Sequence, residues 1–447
     1  MLIDGRKRIL IAGETKGNCT TWTWHRFSQL YRVASKYYRI AMVDCAEPGP
    51  SDNGPAVDSV MALARDADAM LIDGRLLCLF PFLRDCDVPI AIDLYDPLIS
   101  GDLTAQADAA EAVATMHERE ATIREQLATG DFFVCASEAQ RDYWMGMLTA
   151  FNRVNPIIYA EDRTISNLLA VFPWGIDSAQ PEDAGRALKG VLPGILEDDV
   201  VAVWALEDMP WQDHLTLIHA VTQLDHFAGK LKVVFLTPEF ADRNSGGLIH
   251  VLQRTSASLG LTNRCVFFVD WATKSERNRL LREADFGVSL HKNSFEAGLA
   301  ARPEIAAYLG AGLPVLASGR NAEIVLGYSL GQVVPEESVD EVVRGLQQFL
   351  SVTDLRQRFR GNIQRAARDL SWDVVTLPLR QWLERPRKAP DLAMGLRGDD
   401  GTIANLSPTP VWALPHLALH YLRTAGISGL AEETCSYLRW KLAYHRR

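Results

Sequence analysis

The 447-residue chain has no long apolar run. Its longest, Leu76–Leu83, is eight residues and holds Pro81. A membrane-crossing helix needs about 20 apolar residues, so an integral membrane protein is excluded. The start, MLIDGRKRILIAG, places Asp4, Arg6, Lys7 and Arg8 before a short apolar stretch. A secretory leader has a longer apolar core, so none is expected. No C-x-x-C pair occurs among the seven cysteines, and the number is odd. Cys135 and Cys265 lie inside apolar, strand-like runs. The expectation is buried, reduced thiols and a cytoplasmic protein. Positive charge is in deficit: 46 Lys and Arg against 56 Asp and Glu give −10. Whole-chain attraction to nucleic acid is therefore not expected. The chain also lacks G-x-G-x-x-G, a Walker loop and a G-x-S-x-G elbow, so a nicotinamide dinucleotide site is not supported. His416 and His420 are spaced for zinc but lack the H-E-x-x-H context, with only Glu432 and Glu433 nearby. No metal is expected.

Apolar residues make up 48% and charged residues 23%, an ordinary globular composition. At about 150 residues per domain the length suggests two to three domains. Short apolar runs alternate with helical stretches twice over. In the first half the strands read as Arg8–Ala12, Ile40–Asp44, Ala69–Ile72, Pro89–Leu94 and Phe132–Ala136. Between them lie the helices Trp22–Lys36, Val57–Arg65, Leu103–Ala128 and Glu138–Thr149. VFPWGIDSAQPED, Val171–Asp183, reads as a connection between domains. The second half reads as strands at Val200–Ala205, Lys232–Leu236, Val266–Val269, Phe286–Leu290, Pro314–Ala317 and Gln332–Val334. Its helices read as Asp213–Leu224, Gly247–Leu259, Lys274–Ala284, Glu304–Gly310 and Val339–Leu350, and Asp354–Arg368 and Trp372–Glu384 follow. This pattern predicts an α/β protein, two Rossmann-like domains with mostly parallel sheets facing across a cleft. The expected divisions are 1–175, 176–371, a crossover helix over 372–390, and a linker and helical tail over 391–447.

Chemistry-bearing residues concentrate after the strand at 286–290. A polar loop, His291–Ser294 with Lys292 and Asn293, follows that strand. Glu296 and Glu304 come next with seven residues between them, and Pro303 suits the first turn of a helix. A helix N-terminus at a strand's carboxyl end offers N–H groups and a positive dipole to a diphosphate. Carboxylates accept several hydrogen bonds from sugar or ribose hydroxyls. Arg302 is a candidate phosphate clamp, because guanidinium takes two oxygens at once.

The stretches Leu261–Glu296 and Ala307–Val325 resemble family-four glycosyltransferases of the GT-B type. Their signature is a glutamate, seven residues, a second glutamate, then a Gly-x-Pro turn into a strand. Looser matches are FFVCASEAQRDYW (Phe132–Trp144), the VFPWGID hinge and Ser371–Asp391. The resemblance spans roughly Ile9–Asp391 and is strongest to the subgroup associated with bacterial surface polysaccharides. It implies retention at the anomeric carbon, no required metal, and a UDP- or GDP-sugar donor. A glycan or lipid-linked acceptor is implied as well.

Two departures from the pattern stand out. Gly312 lies eight residues after Glu304 instead of five, so the second acid falls on Ala307. The first acid then falls on Leu299 by strict spacing, or on Glu296 if the loop is three residues longer. Glu296 is the carry-over for the donor sugar, and Glu304 is either a displaced nucleotide-side acid or a surface glutamate. Val203–Val221 also has no Arg or Lys where family members reach the donor diphosphate. Trp211 and Asp213 can line the cleft instead, although Asp213 equally suits an N-cap. Lys292 and Arg320 follow strands and are substitute cations, or else surface ones. Glu323 matches the family's loop glutamate, or is an ordinary helix-start acid.

On the acceptor side the resemblance implies Asp93, Tyr95 and Asp96 at a strand end, although acids there equally cap turns. Lys16 and His25 are further candidates, in a first strand-to-helix loop whose glycines and hydroxyls allow close approach of a ligand. The final eleven residues carry four Lys and Arg interleaved with Tyr437, Trp440 and Tyr444. Such a segment can sit on anionic lipid at the inner membrane face, or pack as a terminal helix. The expected function is transfer of a sugar from a nucleotide-sugar to a glycan or lipid-linked acceptor. Rival readings are a non-catalytic GT-B-like binding protein and a sugar-nucleotide epimerase.

Overall fold

Near-continuous apolar runs such as RILIAG and VVAVWA form strands buried on both faces, as parallel strands covered by helices must be. The computed structural model describes residues 6–13, 15–16, 19–20, 22–45, 57–95, 97, 109–177, 185–205, 209–224, 229–238, 247–271, 273–319, 322–352 and 354–393. In the first half, the strands are β1 (Arg8–Gly13), β2 (Thr15–Lys16), β3 (Cys19–Thr20), β4 (Arg39–Asp44), β5 (Ala69–Asp73), β6 (Ile90–Asp93), β7 (Phe132–Cys135) and β8 (Leu169–Val171). In the second they are β9 (Val200–Ala205), β10 (Leu231–Pro238), β11 (Val266–Trp271), β12 (Phe286–Ser289), β13 (Val315–Ser318) and β14 (Gly331–Val334). Two six-stranded sheets result, ordered β4-β1-β5-β6-β7-β8 and β11-β10-β9-β12-β13-β14. Every pairing within them is parallel. β2 and β3 form a small antiparallel hairpin just after β1.

Both halves belong to one compact unit, Met1–Ala389; residues from Pro390 form a second unit. The chain crosses between the sheets twice, side by side. Ile176 on the outward connection bridges Ser371 on the return, and its N–H donates to the Leu370 carbonyl at 2.7 Å. On returning, Trp372, Val375, Leu379 and Leu383 enter the first half's core with Ile9, Phe27, Phe132 and Phe172. Gly175 permits this contact, because a Cβ there would meet the Trp372 ring at 2.3 Å.

The structure adds several short elements to the sequence reading, among them the β2–β3 hairpin and helices at Leu76–Leu79, Pro81–Asp85 and Pro156–Glu161. Leu169–Val171 is a strand, paired to β7, where the apolar run at 171 reads as part of a connection. Phe295–Leu299 and Glu323–Tyr328 are short helices too brief to show periodicity. The stretch 372–384 is two helices, Trp372–Val375 and Leu377–Glu384, because Pro378 cannot donate a backbone hydrogen bond and sits in a new first turn. Among the described residues no helix is long and apolar enough to cross a membrane.

Candidate functional site

The strand order of the second sheet reverses direction between β9 and β12. In open α/β sheets ligands bind beyond the carboxyl ends of the strands at such a point. Tyr308 fastens the two strands there: its hydroxyl accepts from the Ala205 N–H and donates to the Val288 carbonyl, both at 2.9 Å. The ring lies so close that a Cβ on Gly287 would be 2.3 Å from it. Tyr308 belongs to the helix Pro303–Gly310, which ends in Ala311 and a left-handed Gly312 (φ 77°) before β13.

The first turn of that helix is filled by the chain's own charges. The Ser289 hydroxyl donates to Glu304 Oε1 at 2.6 Å. Arg302 reaches both neighbouring strand ends: Nη1 donates to the Ser289 carbonyl at 3.0 Å and Nη2 to the Ser318 carbonyl at 2.7 Å. Both charged side chains are buried. Burial raises the Glu304 carboxyl, opposed by the Ser289 hydrogen bond and Arg302. Burial also lowers Arg302 to about 10, opposed by Glu304. Arg302 Nε is buried and without a partner among the described residues. Pro303 has no N–H, and the Ile305 N–H donates back to the Arg302 carbonyl at 3.1 Å. Of the two alternatives for Glu304, the surface one is not what the fold produces.

Glu296 sits in the helix Phe295–Leu299, whose start is capped by the Ser294 hydroxyl accepting from the Ala297 N–H at 3.2 Å. Its side chain is only 4% exposed. Its Oε1 has no hydrogen-bond partner among the described residues. Buried polar atoms are ordinarily satisfied, and an exception calls for a reason.

His291 follows β12 and is tied through its backbone to the end of β13. Its N–H donates to the Ser318 hydroxyl at 2.7 Å, and that hydroxyl donates to the His291 carbonyl at 3.1 Å. Burial, with Arg302 nearby, pushes its imidazole well below the usual range. Lys292 directs Nζ to the Pro210 carbonyl at 2.7 Å, and its N–H bonds the carbonyl of half-buried Trp211. The Asn293 N–H meets Glu337. Asp213 caps the helix His214–Thr222, Oδ1 accepting from the Thr216 N–H at 3.3 Å. Its Oδ2 is buried without a partner among the described residues. His214 stacks on Trp204, and burial lowers its imidazole to about 3. Glu323 is exposed at the start of its short helix. Arg320 lies outside the described residues.

In the first half, Asp93 ends β6 and forms a buried ion pair with Arg26, Nε to Oδ2 at 2.8 Å. The guanidinium lies 3.9 Å from the Phe172 ring centroid and 4.8 Å from that of Tyr95. Burial raises the Asp93 carboxyl, with Arg26 opposing it. Tyr95 is buried against Trp174, which stacks on His25 at 5.0 Å and 8°. Burial lowers His25 to about 4. Lys16 pairs with Cys19 through the β2–β3 hairpin. Asp96, His416, His420, Glu432, Glu433 and the C-terminal Tyr437, Trp440 and Tyr444 lie outside the described residues.

The site also uses residues that motif spacing does not mark. Ser289 and Ser318 hold equivalent final positions in β12 and β13. A polar residue closing each apolar strand is the available signal. Arg26 interrupts the apolar face of the helix Trp22–Ala34, where a lone cation signals a buried partner elsewhere.

No protein-family model matches the chain, and no curated protein matches it significantly. Solved structures do. Sucrose-phosphate synthase from Thermosynechococcus elongatus is 12% identical with TM-score 0.58, covering 85% of this chain and 99% of that one. HepE from Anabaena, solved in complex with UDP-glucose, is 13% identical with TM-score 0.60, covering 85% and 100%. WaaG, a glycosyltransferase involved in lipopolysaccharide biosynthesis, is 14% identical with TM-score 0.51, covering 83% and 98%. With its two parallel, six-stranded Rossmann-like sheets, the chain has the GT-B fold of these glycosyltransferases.

Proposed function

We propose that the chain is a glycosyltransferase that moves a sugar from a nucleotide-sugar donor to a glycan or lipid-linked acceptor. The observation that carries this reading is Glu296, a buried carboxylate with an unpartnered oxygen in the short helix that follows β12. A donor-sugar hydroxyl is the group such an oxygen lacks. The UDP-glucose bound to HepE makes a UDP-sugar the first donor to try. We take residues 1–175 as the acceptor-side domain, 176–371 as the donor domain and 372–390 as the crossover.

In this scheme the sugar passes with retention to an acceptor hydroxyl as its bond to the diphosphate breaks. The leaving diphosphate takes the hydroxyl proton and must be stabilised as charge develops on it. Preorganised electrostatics is usually the largest catalytic contribution. Arg302 supplies positive potential, with Nε as its remaining donor. Lys292 is the second cation, after release from the Pro210 carbonyl. His291, Asn293, Trp211, Asp213, Glu304, Glu323 and Arg320 belong to the nucleotide side. Asp93, Tyr95, Asp96 and Lys16 belong to the acceptor side, where the buried Asp93–Arg26 pair fixes the end of β6. The basic aromatic C-terminus would bring the enzyme to a lipid-linked acceptor at the inner membrane face, in surface polysaccharide assembly.

A second reading, a non-catalytic GT-B-like protein that binds a glycan or a partner, is favoured by one specific observation. Both Nη groups of Arg302 and the Lys292 ammonium are engaged by backbone carbonyls. Incubating purified protein with UDP-glucose and measuring UDP release separates the two. Turnover that disappears in Glu296→Ala, with folding retained, supports the enzyme; binding without turnover supports the second reading.

A further inference from the structure

The helix that carries Glu296 is five residues long. A helix so short cannot satisfy its own final carbonyls, which must find partners outside it. The Ala300 N–H takes the Glu296 carbonyl at 2.8 Å. The Leu299 carbonyl is taken from the first sheet's half of the molecule: Gln140 Nε2 donates to it at 2.9 Å.

Gln140 is 0% exposed and lies in the first turn of the helix Glu138–Ala150. Its Oε1 accepts from the Ala136 N–H at 2.8 Å, which fixes the orientation of the amide. The second Nε2 hydrogen goes to the Tyr95 carbonyl at 2.9 Å. One side chain thus joins the ends of β6 and β7 to the Glu296 helix. One turn further on, Tyr143 meets Phe295 edge-on, centroids 6.2 Å apart at 66°. Phe295 is 55% exposed, so this contact is the apolar support at the helix start. Leu299 and Phe295 flank Glu296, and both are held by the same first-half helix.

We propose that Gln140 is a positioning residue: it latches the Glu296 helix to the acceptor-side domain, so that the sugar-holding carboxylate is fixed only while the two halves are in contact. The consequence for donor use rests on the reading of Glu296 given above; the latch does not. Gln140→Glu is nearly isosteric and keeps an acceptor for the Ala136 N–H. It turns an oxygen toward two carbonyl oxygens and leaves at most one donated hydrogen bond, from a protonated carboxyl. Gln140→Met removes the donors without adding charge.

Hydrogen–deuterium exchange on the full chain tests the latch directly, with or without activity. In Gln140→Glu, exchange across residues 291–301 should accelerate about tenfold or more, the loss of roughly 1.4 kcal/mol of local protection. Peptides covering β9, β10 and β11 should exchange as in the unaltered protein. The KM for UDP-glucose should rise several-fold more than kcat falls, which general destabilisation would not produce. Gln140→Met should show the same pattern and serves if the charged variant fails to fold. Unchanged exchange at 291–301 in a folded variant overturns the latch. Absence of binding of both UDP-glucose and a GDP-sugar by the unaltered protein overturns the donor reading instead, and the exchange result still decides the latch.

Discussion

Arg302 Nη2 donates to the Ser318 carbonyl across 2.7 Å, while its Nη1 holds the Ser289 carbonyl on the adjacent strand. The guanidinium therefore ties the carboxyl ends of β12 and β13, and its charge favours the ionised form of the buried Glu304. Lysine is a point charge and cannot reproduce this fork. Arg302→Lys should lower unfolding stability by about 2 kcal/mol, from the loss of a charge-assisted hydrogen bond. Arg302→Met should cost more, about 3 kcal/mol, because both strand-end carbonyls lose their charged donor and Glu304 loses a nearby positive charge. Denaturant unfolding measures both.

The second prediction concerns Arg26 and Asp93, whose side chains are wholly inaccessible. Removing one member of a buried pair leaves the other uncompensated, typically at about 3–5 kcal/mol. Asp93→Ala should show that loss in thermal or denaturant unfolding. Asp93→Asn keeps the shape and an acceptor and should lose less. If both variants unfold like the parent, the pair contributes nothing to the first domain.

Acid sensitivity follows from His214. Its folded pKa, about 3, lies below the ordinary 6.5, so the unfolded chain takes up the proton first. The contribution is complete above the unfolded value and is lost as pH falls toward the folded one, by at most about 1.4 kcal/mol per unit. Raised carboxyls at Asp93 and Glu304 act with the opposite sign over their own range. His214→Phe retains a ring against Trp204 but cannot titrate. Its stability should fall less steeply than the parent's between pH 6.5 and 4, measured by urea unfolding at each pH.

Tyr308 and Gly287 supply a packing test. Gly287→Ala forces a Cβ into the Tyr308 ring. Tyr308→Phe leaves the Ala205 N–H and Val288 carbonyl without their shared partner. Each should destabilise by about 1–3 kcal/mol. Nucleotide-sugar affinity should fall with either, because both loosen the point where the strand order reverses.

Apolar runs such as Val200–Ala205 make both sheets legible in the sequence, since buried parallel strands announce themselves by composition. The spacing of Glu296 and Glu304 and the Gly312–Pro314 turn likewise point to the strand ends that form the site. What the sequence leaves hidden is which polar groups satisfy one another. Asp213 reads equally as a cleft acid or a cap, and only coordinates show Thr216 on it. Arg302 reads as a phosphate clamp, and nothing in the spacing shows that its Nη groups meet the carbonyls of Ser289 and Ser318. The partnership of Gln140 with Leu299 joins residues 159 positions apart, and no local pattern encodes it.

The carboxylate of Glu296 bears the largest share of the functional account, and Glu296→Gln isolates it with minimal change of shape. Calorimetric titration of UDP-glucose and of a GDP-sugar into both proteins, alongside thermal unfolding, is the direct measurement. The account predicts binding of at least one donor by the parent, weakened tenfold or more in the variant, about 1.4 kcal/mol, with the melting temperature equal or higher. Equal donor affinity in the two proteins would contradict it.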